Sequence, residues 1–243
     1  MFKTKKIILI TGGSGALGSN IRKLVKCHAP DSKELDITDY KKCVNAVGKY
    51  NPDIVIHCAG WTDVLAAEKE KTKCWSVNVS GTENMVRASK GKRFIYISTH
   101  YVFDGMTGNY KEDDVPNPVN FYSLTKLIGE AIVVQYQNTL IIRTGFKKDG
   151  SWEYEKAFVD QWTCSDFSSE RAPDIIKASL MTTLKGVIHI SGKRKTIYDL
   201  ARRTSPNVGK ISIESARVKL PRDVSLNSSK WKKLLSKQSR VKK

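Results

Sequence analysis

The sequence predicts an α/β protein: a doubly wound parallel sheet covered by helices on both faces, followed by a small C-terminal lobe. Three observations predict it. Short apolar runs that end in glycine or polar residues alternate with longer stretches of helical period, the pattern of βαβ units and a parallel sheet. A glycine-rich turn, "TGGSGALGS", stands directly between the first apolar run and the first helical stretch. With 243 residues and 40% hydrophobic content, the chain can bury a sizeable core, as one large domain or as a domain with a lobe.

The elements follow in order. "KIILIT" (Lys6 to Thr11) is the first strand, and "LGSNIRKLV" a helix with Leu17, Ile21, Leu24 and Val25 at helical spacing. Before "DITDYKKCV" only "KCHAPDSKEL" is available for a second strand, and it contains Pro30. That strand is therefore expected to be very short, or the edge irregular. "DIVIHCAG" (Asp53 to Gly60) is the next strand, and one long helix is expected from about Ala66 to Ala88. In "RFIYISTHYVFDG" the buried-strand residues Phe94 to Ile97 run into Ser98, Thr99, His100 and Tyr101. A helix from about Val119 to Gln137 leads to the strand "TLIIRTG" (Thr139 to Gly145). "RAPDIIKASLMTTL" reads as a helix with Pro173 in its first turn, "GVIHIS" (Gly186 to Ser191) as a strand, and "TIYDLARR" as a helix capped by Thr196. Residues Phe146 to Glu170 hold two tryptophans and no clear period, which suits equally a ligand-binding lobe and a packed irregular connection. The expected division is a first domain over 1–145, and over 146–243 a small lobe with a strand and helix returning to the sheet and a basic tail.

The formal net charge is +18. The lysines are spread along the chain and concentrate only in "SSKWKKLLSKQSRVKK", so the charge reads as a Lys-rich surface with a frayed basic tail rather than a specific nucleic-acid site. The five cysteines (Cys27, Cys43, Cys58, Cys74, Cys164) form no C-x-x-C pair, and the four histidines are dispersed. Reduced thiols and no metal site are expected. No apolar run approaches the roughly 18 residues of a bilayer span. In "MFKTKKIILITGG" the apolar run is only Ile7 to Ile10, too short for a secretory signal. A cytoplasmic protein without a membrane partner is expected.

Gly12, Gly15 and Gly18, with Ala16 and Leu17 among them, follow a strand and open a helix. Glycines there permit the tight turn and let the backbone approach a pyrophosphate at the positive helix N-terminus. This is the fingerprint of a Rossmann-type dinucleotide site. The acidic ribose partner is Asp31 or Asp36, while Arg22 and Lys33 stand ready for an extra phosphate, so NAD(H) and NADP(H) both remain open. Tyr122 and Lys126 are four apart on a predicted helix, one turn apart on one face. An ammonium placed so favours the phenolate and lowers the tyrosine pKa from its usual value near 10.

"TGGSGALG", "NPDIVIHCAGWTDV", "SVNVSGTENM", "YISTHYVFDG", "NPVNFYSLTKLIGE" and "LIIRTG" resemble, in order, the extended short-chain dehydrogenase/reductases, and most of all the dTDP-4-dehydrorhamnose reductase family. The resemblance continues in "GVIHISGKRKTIYDLARR" and "LPRDVSLNSSKWKKLL". It implies an NAD(P)H-dependent reductase of a nucleotide-linked 4-keto-6-deoxy sugar. Tyr122 would give the proton, Lys126 would hold the nicotinamide ribose and depress Tyr122, Thr99 would bond the reacting oxygen, and Asn78 would support the lysine. Gly12, Gly15, Ala16, Leu17 and Gly18 would take the pyrophosphate, Asp36 and Ile37 would lie against the adenosine, and Gly60, Trp61 and Thr62 would line the cofactor cleft. His100, Tyr101 and Arg143 would face substrate. The resemblance also implies a homodimer. Two departures stand out: His100 replaces an aspartate of the family pattern, and Leu65 with Ala66 replaces an acidic-basic pair. Two other functions are implied by related proteins: a combined 3,5-epimerase and reductase, and a non-catalytic subunit like the regulatory subunit of methionine adenosyltransferase.

Overall fold

The computed structural model describes residues 1–241; Lys242 and Lys243, the end of the expected basic tail, lie outside the described residues. In the first part of the chain, β1 (Ile8–Thr11), α1 (Ala16–Leu24), α2 (Tyr40–Tyr50) and β2 (Ile54–His57) precede α3 (Val64–Lys69), α4 (Lys71–Trp75) and α5 (Gly81–Ala88). Next come β3 (Arg93–Thr99), α6 (Phe121–Val133) and β4 (Thr139–Thr144). Four short strands follow, β5 (Phe146–Lys147), β6 (Lys156–Phe158), β7 (Trp162–Thr163) and β8 (Asp166–Phe167), then α7 (Ser168–Leu180) and β9 (Gly186–His189). The chain ends in β10 (Lys195–Thr196), α8 (Ile197–Arg202), β11 (Gly209–Ile211) and α9 (Ser229–Val241).

Strands β1, β2, β3, β4 and β9 pair in that order as one parallel sheet. Its strands are apolar on both faces because both are covered. Ile8, Ile10, Ile54, Ile56, Ile95, Ile97, Leu140 and Ile142 pack beneath α1, α7 and α9. Their neighbours Leu9, Val55, Phe94, Tyr96 and Ile141 pack beneath α2, α5 and α6. The period of two therefore feeds two cores at once. The second strand reduces to one bridge, with Ile10 N–H donating to the His28 carbonyl and His28 N–H to that of Ile8, both at 2.8 Å. Pro30, two residues on, has no N–H with which to continue the ladder.

Four expectations are corrected. The helix expected from 66 to 88 is broken at Glu70 (φ −114°, ψ 51°) and runs through a π turn over Ser76–Ser80 before α5. The helix expected over 119–137 is trimmed to α6, whose N-cap Asn120 accepts the Ser123 N–H at 2.9 Å. Helix α7 starts at Ser168, so Pro173 sits in its interior. The frayed tail is a helix: Trp231, Leu234 and Leu235, at i, i+3 and i+4, pack into the core beside α7, and that apolar stripe outweighs the charges around it. Helix α7 also ends on a buried cation. The Arg93 guanidinium, 2% exposed, donates to the carbonyls of Ser179, Met181 and Leu184, each at 2.9 Å, where the helix leaves its last carbonyls unpaired.

Beyond β4 the chain builds small two-strand pieces: β5 with β8, β6 with β11, and β7 with β10. Strand β9 returns to the main sheet beside β4, while α8 packs on β6 and β10. No helix among the described residues is long and apolar enough to cross a membrane.

Candidate active site

The carboxyl ends of β1, β2, β3 and β4 bring the predicted residues to one edge of the sheet, where open α/β sheets bind ligands. At β1, Gly12 turns the chain at φ +66°, and a Cβ there would come within 2.7 Å of the Ala59 nitrogen. Gly18 lies so close beneath the turn that its Cβ would meet the Gly12 carbonyl oxygen at 2.3 Å. Gly15 is the N-cap of α1, no side chain caps the helix, and its first turn holds no acid. The amides of Ala16 and Leu17 thus open a helix N-terminus suited to an anion. This geometry fits the pyrophosphate of a dinucleotide.

The candidate ribose acids are engaged in their own turns. Asp31 accepts the N–H groups of Lys33 and Glu34, both at 2.9 Å. Asp36 accepts the N–H of Thr38 at 2.9 Å and its hydroxyl at 2.7 Å, contacts that hold its carboxyl below the usual range. Ile37 is buried, packed so closely on Gly81 that a Cβ there would lie 2.7 Å from its methyl.

A hydrogen-bonded chain joins the first two strand ends to the π turn. The Thr11 hydroxyl accepts the Ala59 N–H at 3.1 Å and lies 2.8 Å from His57 Nδ1; His57 Nε2 lies 3.2 Å from the Thr82 hydroxyl. Thr82 donates to the Asn78 carbonyl at 2.7 Å, so it must accept from Nε2–H, and Nδ1 must accept from Thr11. His57 is fully buried, and burial lowers its pKa to about 3. The imidazole is neutral and its tautomer assigned by the network.

Asn78, in the π turn, is 1% exposed. Its Oδ1 accepts the Trp61 N–H at 2.7 Å, and its Nδ2 donates to the Trp61 carbonyl at 3.1 Å and the Thr125 hydroxyl at 2.9 Å. These bonds hold the Gly60–Thr62 segment through the Trp61 backbone.

Tyr122, Lys126 and Glu130 form a column on α6, against β3. The column comes close because Gly129 lets α6 settle on Tyr96, whose Oη would lie 2.2 Å from a Cβ there. The Lys126 ammonium donates to the Ile97 carbonyl at 2.8 Å and lies 4.0 Å from the Tyr96 ring centre. Burial lowers its pKa to about 8, with the Glu130 carboxylate pulling it back up. Burial also pushes the Tyr122 phenol up to about 12, against the downward pull of a hydrogen bond with the Thr99 hydroxyl. Desolvation of the phenolate is the larger influence on Tyr122, and the Lys126 ammonium, one turn on, donates to the backbone of β3.

All three residues expected at substrate have internal partners. Arg143 is 4% exposed and grips Glu130 through Nε (3.0 and 3.2 Å) and Nη2 (2.8 Å), while Ser98 donates to the same carboxylate at 2.5 Å. Nε and Nη2 of its fork are engaged by the column, while Nη1 is buried without a hydrogen-bond partner. His100 lies 3.1 Å from the Thr163 hydroxyl and 3.3 Å from that of Ser165, joining β3 to the lobe. Burial, then the charge of Lys147, lowers its pKa to about 3. The third, Tyr101, lies tilted beside the His100 ring, 4.9 Å between centres, and accepts from Gln161 Nε2 at 3.0 Å.

Glu130, Thr11, His57 and Gln161 were missed in the sequence. Only Glu130 carried a signal, as the next member of the four-residue period through Tyr122 and Lys126. A single histidine or threonine at the end of an apolar strand has no local pattern to mark it.

A family described as the RmlD substrate binding domain matches residues 5–162. The chain is 34% identical over 165 residues to a dTDP-4-dehydrorhamnose reductase of Aggregatibacter actinomycetemcomitans, covering 63% of this chain and 54% of that protein. It is 30% identical over 221 residues to a dTDP-4-keto-6-deoxy-D-glucose reductase of Streptomyces niveus, covering 81% of this chain and 76% of that enzyme. The chain thus spans about half the length of the first of these relatives. Among solved structures, the dTDP-4-dehydrorhamnose reductase of Bacillus anthracis in complex with NADP superposes with a TM-score of 0.86 at 25% identity, over 95% of this chain and 93% of that one. With more than half of its residues matched by the family and its glycine turn, Tyr122, Lys126 and Thr99 gathered at one sheet edge, the chain belongs to the RmlD substrate binding domain family.

Proposed function

We propose that this chain is an NADP(H)-dependent reductase of a nucleotide-linked 4-keto-6-deoxy sugar. The observation that carries this reading is the buried pair Tyr122 and Lys126, one turn apart on the face of α6 that packs on the end of β3, where Lys126 donates to the Ile97 carbonyl at 2.8 Å two residues before Thr99. A carbonyl reduction needs an acid beside the reacting oxygen. When bound, the nicotinamide supplies a hydride to the keto carbon. Tyr122 breaks its O–H bond and gives the proton to the carbonyl oxygen, leaving a phenolate and an alcohol. Thr99 orients that oxygen, and Lys126 supplies the positive charge that stabilises the phenolate until solvent reprotonates it. Glu130 and Arg143 keep the column in place, and Asn78 with Trp61 shapes the cofactor cleft.

Several observations support NADP(H) over NAD(H). Asp31 and Asp36 are engaged in turns, whereas Arg22 and Lys33 have no ion-pair partner among the described residues. The relative from Bacillus anthracis carries NADP. The lobe over 146–243 is read as the substrate side, and 1–145 as the cofactor side. A cytoplasmic homodimer belongs to the same reading; Trp75 on α4 and Leu124 on α6, 42% and 39% exposed, offer apolar surface for pairing. Epimerisation would need a second acid–base pair, and His100, held near 3 by burial, is too weak a base to serve.

The test is loss of NADPH absorbance with dTDP-, UDP- and GDP-linked 4-keto-6-deoxy sugars, repeated with NADH. Turnover preferring NADPH is expected. Tight cofactor binding without turnover of any sugar would replace the enzyme by the regulatory-subunit reading.

A further inference from the structure

The lobe carries most of the charge. From residue 146 onward there are 22 basic and 10 acidic residues, against 20 and 14 before it. Several lobe cations have carboxylate partners. Lys195, Arg171 and Arg203 converge on Asp166, Arg194 on Asp223, and Arg222 on Asp160 and Glu214. Lys147 does not. It lies on β5, three residues past the carboxyl end of β4, and is half-buried. Among the described residues its ammonium has no hydrogen bond or ion pair. It feels the charge of Glu153, and its ammonium lies 5.5 Å from the centre of the Trp152 ring. Withdrawing an ammonium from water without an anion is unfavourable, and burial lowers the Lys147 pKa accordingly.

Its position has a direction. The charge of Lys147 is felt at the His100 ring, next in sequence to Thr99. Trp152 meets Tyr154 edge-on at 5.9 Å, and Tyr154, 62% exposed, feels the carboxylate of Asp63 at the N-cap of α3. Thr144 pairs with Thr99 in register, and a Cβ on Gly145 would meet the His100 ring at 2.5 Å, so β5 carries Lys147 away from the same sheet edge that holds Thr99 and His100. The cofactor phosphates belong to the opposite end of this edge, at the α1 N-terminus.

We propose that the Lys147 ammonium anchors the diphosphate of the nucleotide-linked substrate, completing a lobe cation that has no anion of its own. The reaction puts the keto carbon at Tyr122 and Thr99, and the diphosphate leaves the sugar from the far side of its ring, toward the lobe. A lysine serves such a group as a mobile point charge. The inference rests on the nucleotide-sugar reading above.

The experiment is calorimetric titration of wild type, Lys147→Met and Lys147→Arg with dTDP, UDP, thymidine and NADPH. Loss of a charge-assisted contact predicts that Lys147→Met binds the nucleoside diphosphates about 10-fold to 100-fold more weakly. Thymidine and NADPH should bind it as they bind wild type, which also shows the variant folded. Lys147→Arg should keep most of the affinity. Unchanged diphosphate binding in Lys147→Met, an equal loss for thymidine, weakened NADPH instead, or a wild type that binds neither dTDP nor UDP would each overturn it. Turnover with unaltered KM in Lys147→Met would sink the anchor and leave the reductase standing. Diphosphate binding that depends on Lys147, without turnover of any sugar, would do the opposite.

Discussion

The sheet half of the molecule and its lobe are held together by different forces. In the sheet half, alternate strand residues bury Ile, Leu and Val on both faces, and local backbone ladders run the length of β1 to β4. In the lobe the paired strands are two or three residues long. Side-chain ion pairs do much of the joining: Asp166, with its side chain 10% exposed, gathers Lys195 at 2.5 Å, Arg171 at 3.1 Å and Arg203 at 3.5 Å. The difference teaches where each task belongs. Proton transfer needs groups fixed to fractions of an ångström, which β3 and α6 supply. Recognition of a charged ligand needs cations at its approach, which the lobe supplies.

The largest expected effect tests that division directly. Tyr122→Phe should lower kcat by about 10²-fold to 10⁴-fold, with NADPH affinity unchanged. A loss in KM alone would mean that Tyr122 only binds. Next come the two buried carboxylates. Breaking a buried pair costs about 3–5 kcal/mol, so Glu130→Gln, which strands Arg143 in the sheet half, should lower the urea midpoint of the whole chain. Asp166→Asn should instead loosen the lobe first. Hydrogen exchange should quicken over β7, β8 and β10 while β3 and β4 stay protected. Equal loosening of both halves would break the comparison.

Titration gives a third contrast. Lys126 is held at about 8 in the folded chain, below an ordinary lysine. Below pH 8 the full cost of its buried charge is present. Between about 8 and 10.5 the unfolded chain binds more protons, so stability from this group rises with pH. Lys126→Met should remove that rise and melt no lower than wild type at pH 7, while losing activity. His57, His100 and His189 all sit near 3, so their neutral forms stabilise the fold above pH 6.5 and that stability is lost as pH falls toward 3. His100→Gln should make acid unfolding less steep by about one proton. The smallest effect belongs to the surface: Lys49→Ala, breaking the exposed pair with Glu34 at 2.6 Å, should leave the thermal unfolding midpoint almost unchanged.

What could be read in the sequence was what local spacing encodes. Gly12, Gly15 and Gly18 announce a turn between strand and helix, and Tyr122 with Lys126 announces a helix face. Their gathering at one edge follows from the parallel sheet alone. What escaped depended on partners distant in sequence. The π turn at Asn78 lies in a stretch whose composition suits an unbroken helix. Arg143 looks like a ligand-facing cation until Glu130, thirteen residues earlier, takes its fork. The charges of the C-terminal segment masked the stripe of Trp231, Leu234 and Leu235. The ion pairs on Asp166 link residues up to 37 positions apart, with no period to reveal them.

The central claim is that Tyr122 protonates a carbonyl oxygen as hydride reaches the keto carbon, rather than merely framing a bound cofactor. The most direct measurement uses NADPH carrying deuterium at the transferable nicotinamide position, with a dTDP-linked 4-keto-6-deoxy sugar, and product analysis by mass spectrometry and NMR. The account predicts one deuterium at the former keto carbon with wild type and almost none with Tyr122→Phe over the same time. Undiminished labelling by Tyr122→Phe, or no label in any sugar from a wild type saturated with the cofactor, would contradict it.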